Sequence, residues 1–233
     1  MRARSLVSAV HGILGEAGRI VLASPCVVCG GELPWRNRRG SCCSECWESL
    51  ELIGARCASC GIPWDGGGPG ETFTCIECAR SPLPLQWIDS FGRYEGTLER
   101  LIHAFKFEGH DFLSDQLGEL LSRRFEERAD DDFARVAAVP LHRSRLRRRG
   151  YNQSELLARR FARLTGIPFD GRVLRKRIER APQSTLRRSE RAANVRGVFE
   201  CVRPLDDSRI LLIDDVCTTG ETLAACARAL RRA

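Results

Sequence analysis

The chain has 233 residues, enough for one α/β domain and a smaller module. Hydrophobic residues make up 43% and aromatic residues 7%, which is typical of a globular protein and excludes a membrane protein or a disordered tail. The net charge of +7 is concentrated. Residues 142–151 contain five arginines and no acidic residue, and residues 172–191 contain eight basic residues against two acidic ones. Two such runs indicate a polyanionic ligand, either a pyrophosphate ester or a nucleic acid, whereas one short run would indicate only a solvated helix face.

The first predicted element is an amphipathic helix over residues 1–24. Residues 6–23 are fairly apolar, but His11, Glu16 and Arg19 interrupt them, so they fit neither a signal peptide nor a membrane span. We therefore expect a cytoplasmic protein without membrane insertion. Because the cytosol keeps thiols reduced, metal binding is the expected use of the cysteines.

Four C-x-x-C pairs lie within residues 25–80, where we predict a double zinc ribbon. Two residues between cysteines let both thiolates face one side of a tight turn, and two such turns complete a tetrahedral zinc shell. Gly30 and Gly61 follow the first and third pairs and relieve crowding under the metal. Taken in order, the pairs form two sites of four cysteines each, although the spacing leaves an interleaved pairing open. The predicted ligands are Cys26, Cys29, Cys43, Cys46, Cys57, Cys60, Cys75 and Cys78.

An iron–sulfur cluster and a redox dithiol are the less favoured uses of these cysteines. Both zinc sites would be closed to water, so they would stabilise a segment that has few large apolar residues. Cys42 is adjacent to Cys43 and is an alternative ligand. The cysteines outside the module are predicted to be ordinary buried residues; they are Cys201, Cys217 and Cys226.

A short stiff linker over residues 81–84 separates this module from a domain over residues 85–233. The predicted elements are a strand at 87–94, helices at 97–107 and 112–127, a strand at 136–139, a helix from Asn152 to Gly166, strands at 198–202 and 210–213, and a helix at 222–230. Strands that alternate with helices predict an α/β fold with a mostly parallel sheet and helices on both faces.

The most specific segment follows the strand at 210–213. Asp214 and Asp215 end this strand, and a Thr/Gly loop leads into the last helix. Ligands of open α/β sheets bind outside such strand ends. Backbone amides of the Thr-Thr-Gly turn can bind a phosphate, and the aspartates are placed to accept hydrogen bonds from a sugar diol. The loop consists of Val216, Cys217, Thr218, Thr219, Gly220, Glu221 and Thr222.

This segment resembles the motif with which type I phosphoribosyltransferases bind 5-phosphoribosyl 1-diphosphate (PRPP). The resemblance implies a phosphoribosyltransferase-like fold for residues 85–233. It also implies that Asp214 and Asp215 bind the ribose 2- and 3-hydroxyls, and that residues 217–222 bind the 5-phosphate.

Further motifs resemble the ComF (competence protein F) family over nearly the whole chain. The motifs are Tyr94-Glu95-Gly96 with Leu101-Ile102 and Lys106, the segment from Val139 to Gln153, and the segment from Pro182-Gln183 through Glu190-Arg191 to Asn194 and Phe199. The resemblance implies that Arg143 lies beside the pyrophosphate, where guanidinium groups bond two oxygens at once. It implies a flexible loop over residues 172–184 that offers Lys176, Arg177 or Arg180 to the reacting centre, with Mg²⁺ bound alongside PRPP.

The family resemblance implies a role in DNA uptake during natural transformation, with single-stranded DNA and DNA-uptake proteins as partners. The arginine-rich surface would bind phosphates, and the candidates for base stacking are Trp35, Trp47, Trp64 and Tyr151. The alternative is an active phosphoribosyltransferase with an unknown acceptor, and a third possibility is an interaction protein with a vestigial site. Relatives continue beyond the last helix with a further strand, so either this chain is truncated or its sheet has an uncovered edge.

Overall fold

The fold is given by a computed structural model that describes residues 25–33, 42–68, 70–128, 132–178 and 197–233. The predicted helix over residues 1–24 lies outside the described residues, as do Trp35 and Arg180. The described elements are α1 Ser44–Glu48, β1 Arg56–Cys57, β2 Thr72–Phe73, α2 Ile76–Arg80, α3 Gly96–Phe107, α4 Leu113–Glu126, β3 Arg135–Ala138, α5 Arg143–Arg149, α6 Gln153–Thr165, β4 Leu174–Lys176, β5 Phe199–Cys201, β6 Ile210–Ile213 and α7 Glu221–Leu230.

A parallel pair of strands, β3 and β6, lies at the centre of the fold. Along the other edge of β3, Val136 N–H donates to Pro168 O and Asp170 N–H donates to Val136 O, both at 2.8 Å. β1 and β2 are also parallel, whereas β4 and β5 are antiparallel. The architecture is therefore mixed α/β with small parallel sheets.

Alternate side chains of the central pair face two different cores, as the pleat of a strand requires. Val136 and Leu211 pack with α3, α4 and α6, while Ala137 and Leu212 pack with α7, β4 and β5. Phe161 of α6 is 1% exposed, and burying such a side chain stabilises the fold by about 2–3 kcal/mol. The predicted arrangement of parallel strands with helices on both faces is confirmed for this pair.

Within the described ranges β6 pairs only with β3, so no strand covers its other edge there. A cleft of about 560 Å³ runs beside β6 and is bordered by residues 84–92 and by the last turns of α7. Aliphatic and aromatic side chains from α3, α4 and α7 form much of its wall. Such a wall is unsuited to a polyanion, because charged groups need polar partners when they leave water.

The four helices predicted within residues 85–233 and three of the four strands predicted there are confirmed to within one or two residues. The end of α6 is also confirmed, because Gly166 has a φ of 76° in the left-handed C-cap conformation. Asn152 precedes α6 as predicted, but its side chain makes no capping bond. Its amide instead donates to Val139 O at 3.1 Å, which ties the start of α6 to the end of β3.

The strand predicted over residues 87–94 is wrong. Ile88 N–H donates to Ser59 O at 2.8 Å, and Phe91 O accepts from Ile53 N–H at 3.0 Å, so this backbone bonds to the cysteine-rich segment instead of a strand of the sheet. An alternating sequence pattern reports which side chains are buried, and it does not report where the backbone groups bond.

The loop predicted over residues 172–184 is wrong in its first part, because residues 174–176 form β4 opposite β5. Residues 179–184 lie outside the described residues. Residues 143–149 contain the first arginine run and form α5, although no helix was predicted there. This helix ends at Gly150, which has a φ of 84°.

The cysteine-rich segment packs against the α/β core. Cys26 and Leu33 belong to the same buried cluster as α3, and Arg100 of α3 donates to Val28 O at 3.2 Å. None of the helices in the described ranges is both long enough and apolar enough to cross a bilayer.

Candidate functional site

Asp214, the first of the two carboxylates at the end of β6, is held by hydrogen bonds. Asp214 Oδ1 accepts from Ser154 Oγ at 2.8 Å and from the backbone N–H of Asp215 at 3.0 Å. Ser154 is buried in the first turn of α6, two residues after Asn152, whose side chain ties this helix to the end of β3. Asp214 therefore lies at the carboxyl end of the central strands, where α/β folds bind their ligands.

Asp214 titrates near neutral pH. Burial, and secondly the negative charge of Asp215, raise the pKa of Asp214 to about 7, while the hydrogen bond from Ser154 opposes this rise. A carboxyl group with such a perturbed pKa at the end of a strand is typical of a functional site.

Two cations neighbour the second carboxylate. Lys106 Nζ lies 3.2 Å from Asp215 Oδ1, and both side chains are mostly buried. Arg149 is also close to Asp215: burial lowers the pKa of Arg149, and the charge of Asp215 opposes this effect. Arg149 Nη1 donates to Gln153 Oε1 at 2.9 Å. Lys106 and Arg149 therefore balance the charge of the acid pair.

Residues 216–220 form a tight turn between β6 and α7. Gly220 has a φ of 74°, and its carbonyl accepts the N–H of Ala224 at 2.8 Å to begin α7. The turn and the start of α7 enclose a recess of about 40 Å³ lined by Asp214 and residues 216–223. A single water needs only about 10–15 Å³. The first N–H groups of a helix have no acceptor within the helix, and together with the dipole of α7 they favour an anion in this recess. The N–H of Gly220 also faces the sulfur of Cys217.

Three buried polar atoms near the acid pair and the turn have no hydrogen-bond partner within the described part of the chain. They are Thr219 Oγ1, Gln153 Nε2 and Arg149 Nε. Leaving a buried donor unpaired costs about 1–3 kcal/mol, so a ligand that supplied the missing acceptors would relieve this cost. The Gln153 side chain is 1% exposed, and its position is therefore fixed by packing.

The predicted basic residues occupy different places. Arg143 is exposed at the first residue of α5, and its predicted role stays a prediction. Lys176 ends β4, with Nζ 5.4 Å from the centre of the Phe199 ring. Arg177 Nε pairs with Glu200 Oε2 at 3.1 Å. The structure places Lys176 and Arg177 in or next to a strand instead of a loop.

The eight predicted cysteines form two separate groups, in which all ligand atoms lie within 4.8 Å of one another. The first four-cysteine group is Cys26, Cys29, Cys43 and Cys46, and the second is Cys57, Cys60, Cys75 and Cys78. This is the sequential pairing, so the interleaved alternative is wrong.

The sulfur geometry fits zinc. Cys29 Sγ lies 3.8 Å from Cys43 Sγ, and Cys60 Sγ lies 3.7 Å from Cys75 Sγ. A tetrahedral zinc with Zn–S bonds of about 2.3 Å separates its sulfur ligands by roughly 3.8 Å. Either group can therefore hold a zinc ion with all four positions filled by protein, which is the coordination of a structural site.

One thiol in each group is prepared for metal binding. Burial disfavours the thiolates of Cys26 and Cys57, but backbone N–H groups around each sulfur outweigh it and lower the pKa of both to about 6. Cys42 differs, because burial and the neighbouring charge of Cys26 raise its pKa to about 12. The group of four close sulfur atoms includes Cys43 and leaves Cys42 out, so the geometry favours Cys43 as the ligand. Cys217 is exposed, so its prediction as a buried residue is wrong.

The chain is similar to the "DNA utilization protein YhgH" of Salmonella typhi, with 31% identity over 196 residues that cover 82% of this chain and 84% of the relative. The chain belongs to the ComF family. It is also similar to "Competence protein F" of Haemophilus influenzae, with 26% identity over 214 residues, 89% of this chain and 90% of the relative. "Competence protein ComFC" of Bacillus subtilis is 26% identical over 236 residues, 92% of each chain. No family model matches the chain.

The aromatic residues predicted as candidates for base stacking differ in how exposed they are in this ComF chain. Tyr151 donates its hydroxyl to Phe105 O at 2.5 Å, and Trp47 packs against the core. Trp64 is 50% exposed and packs edge to face on Phe73. An aromatic residue that the sequence reasoning missed, Phe107, is 59% exposed at the end of α3.

The sequence did not predict which other residues lie around the acid pair. Lys106, Arg149 and Gln153 lie in the segments that resemble the ComF family, and this resemblance was the available signal. Ser154 carries no comparable signal, because a serine in the first turn of a helix is most often a local cap. Only the packing of α6 against β6 reveals its bond to Asp214.

Proposed function

We propose that this chain binds PRPP at the turn between β6 and α7 and acts in DNA uptake or utilisation by binding single-stranded DNA through α5. The names of the similar proteins, which refer to competence and to DNA utilisation, support the DNA role. The observation that carries the PRPP proposal is that the acid pair lies at a recess at the start of a helix, with Asp214 in the wall of that recess.

Each part of PRPP has a fitting group in this region. The 5-phosphate would lie in the recess, where backbone N–H groups of residues 218–222 and the unpaired hydroxyl of Thr219 donate to it. The ribose hydroxyls would donate to Asp214 and Asp215. Arg149 and Gln153, which carry unpaired buried donors, would bind the diphosphate.

Magnesium has no protein cage of its own here. In the part of the chain that the structure describes, only the two four-cysteine groups bring three or more metal-binding side chains together. A magnesium ion at this site would be held mainly by the diphosphate of the ligand. The side chains assigned to PRPP bind and orient the sugar and its phosphates without depending on that ion.

The DNA role is supported by charge and by an aromatic neighbour. Arg147 and Arg148 of α5 are exposed, and the ring of Phe107 lies 4.7 Å from the guanidinium carbon of Arg149. Arginines with an exposed aromatic ring are the combination that binds single strands without sequence preference. Arginines in the last turn of a helix also interact favourably with the helix dipole. The competing explanation for these arginines is therefore that they only stabilise α5.

Thermal unfolding tests the PRPP proposal. PRPP at about 100 times its dissociation constant stabilises the folded chain by about 2.7 kcal/mol. Asp214→Asn with Asp215→Asn should abolish the rise in melting temperature that PRPP causes. The control is Asp206→Asn with Asp207→Asn, an exposed pair that precedes β6, and this variant should keep the rise. Equal shifts in the acid-pair variant and the wild type would refute the proposal. Release of pyrophosphate with a nucleobase or amine acceptor would assign transferase activity as well.

Binding of a short single-stranded oligonucleotide at several salt concentrations tests the DNA role. Arg147→Ala with Arg148→Ala should weaken binding and lower the salt slope by about 1.4, since two phosphate contacts are lost. Phe107→Ala should weaken binding by about 1–3 kcal/mol with an unchanged slope. The matched control is Arg231→Ala with Arg232→Ala, which changes two exposed arginines directly after the last residue of α7. A salt-independent affinity would exclude this surface.

A further inference from the structure

The metal-binding loop of the second four-cysteine group is in backbone contact with the segment before α3. Gly61 N–H donates to Cys57 O at 2.9 Å and closes the loop, while Ser59 O accepts from Ile88 N–H at 2.8 Å. A β-carbon on Gly61 would lie 2.6 Å from Ile88 O. The backbone N–H and the backbone C=O of Ile88 therefore both face the loop that carries Cys57 and Cys60.

The side chain of Ile88 extends this contact to the anion-binding turn. Ile88 is 6% exposed, and its Cδ1 lies 2.8 Å from the position that a β-carbon on Gly220 would occupy. Leu83 Cδ1 lies 3.4 Å from the same position. Leu223 in the first turn of α7 shares a buried cluster with Ile88. The turn between β6 and α7 therefore rests on a side chain whose backbone is held by the metal-binding loop.

A buried ion pair fixes the same segment from its other side. The side chain of Asp89 is 6% exposed and lies 3.0 Å from Arg56 Nε, 3.3 Å from Arg124 Nε and 3.5 Å from Arg128 Nη1. Arg56 directly precedes Cys57 in β1. The second four-cysteine group is thus joined to residues 88–89 by both a backbone bond and a buried charge pair.

The first four-cysteine group has different neighbours and provides a natural comparison. Its surroundings contact α3, through Val28 O with Arg100 and through Ser49 Oγ with Thr97 Oγ1 at 2.9 Å. Both groups are built from two C-x-x-C pairs, but only the second is described in contact with Ile88.

We propose that zinc in the second four-cysteine group holds the turn at residues 217–222 in its anion-binding conformation through Ile88. A closed zinc site fixes the fold of its own loop, and loss of the metal releases it. Release of Ser59 and Gly61 frees Ile88, and the turn above it then opens more often. The consequence for ligand affinity rests on the PRPP binding proposed above.

Hydrogen exchange of the full chain tests the coupling without any ligand. Cys60→Ser with Cys78→Ser removes the second zinc, and Cys29→Ser with Cys46→Ser removes the first, each checked by metal analysis. The second-group variant should speed amide exchange at residues 217–222 by about tenfold, while the first-group variant leaves it unchanged. Equal exchange rates in the two variants would overturn the proposal.

A smaller change tests the route with both zinc ions in place. Ile88→Val removes only the methyl group that contacts Gly220, so it should raise the dissociation constant for PRPP and the exchange rate of the turn by about threefold. Ile102→Val removes the same methyl from an equally buried position in α3 and should change neither. If Ile88→Val left the amide exchange rate of residues 217–222 unchanged, coupling through Ile88 would be refuted, even if loss of zinc unfolds the chain.

The two proposals fail in different ways. A wild-type chain that does not bind PRPP would refute the proposed function, and the exchange rates of the zinc variants would still decide the coupling. A wild-type chain that binds PRPP, with equal affinity in both cysteine variants, would instead refute the coupling alone.

Discussion

Asp214 should give PRPP binding and chain stability opposite dependences on pH. Its pKa is raised to about 7, so about 90% of the side chain is ionised at pH 8 and about 10% at pH 6. Because the ribose hydroxyls donate hydrogen bonds, the ionised form is the better acceptor. We expect the dissociation constant for PRPP to increase by about tenfold from pH 8 to pH 6.

Stability should change in the other direction. The folded chain holds the proton of Asp214 more tightly than the unfolded chain, whose pKa for this group is about 4. This contribution to stability is therefore fully present below pH 4 and is lost as the pH rises through about 7. The ligand-free chain should become less stable between pH 4 and pH 7 with respect to this group.

Calorimetric titration and denaturant unfolding over this range measure the two effects. Asp214→Asn is the matched control, because its remaining pH dependence belongs to other groups and to the 5-phosphate of PRPP, which titrates near pH 6. The difference between wild type and variant isolates Asp214. The assigned pKa would be refuted if the ratio of the two dissociation constants did not change with pH. It would also be refuted if the stability of the wild type relative to Asp214→Asn increased with pH.

Three further outcomes follow from the structure. Asp89→Ala should lower the free energy of unfolding by about 3 kcal/mol in denaturant melts, because it removes the carboxylate that pairs with the buried Arg56, while Arg124 keeps Glu127; a loss below about 0.5 kcal/mol would contradict the buried ion pair. Metal analysis should find two zinc ions in Cys42→Ser and one in Cys43→Ser, and the reverse would exchange their roles. Gly220→Ala should abolish PRPP binding and destabilise the chain more than Gly166→Ala, since both have positive φ but only Gly220 lacks room for a β-carbon; equal melting temperatures would contradict this packing.

The local elements of the fold were predictable because their signals lie in adjacent residues. The apolar run of β6 and the spacing of leucines in α3 and α6 place these elements correctly. The sequential pairing of the cysteines was predicted and is confirmed, although the spacing alone did not exclude the interleaved order. The segment at 87–94 was mispredicted because its hydrogen-bond partners, Ser59 among them, lie about thirty residues away in an irregular part of the chain.

Only the part of the candidate site that is continuous in the sequence was predictable. Asp214, Asp215 and the turn that follows are one continuous segment, so their order alone indicates an anion next to a diol. Lys106 and Ser154 reach the same corner from α3 and α6, and their contacts with the acid pair depend on how those helices pack. Sequence periodicity gives the buried face of a helix without naming its partner.

The most direct measurement for the central claim is a crystal structure of the full chain with PRPP. The 5-phosphate should accept hydrogen bonds from the amides of residues 218–222, and the ribose hydroxyls should lie within hydrogen-bond distance of Asp214 and Asp215. The diphosphate should lie on the side of Arg149. A ligand bound elsewhere on the chain, or a turn that stays empty at saturating PRPP, would contradict the account.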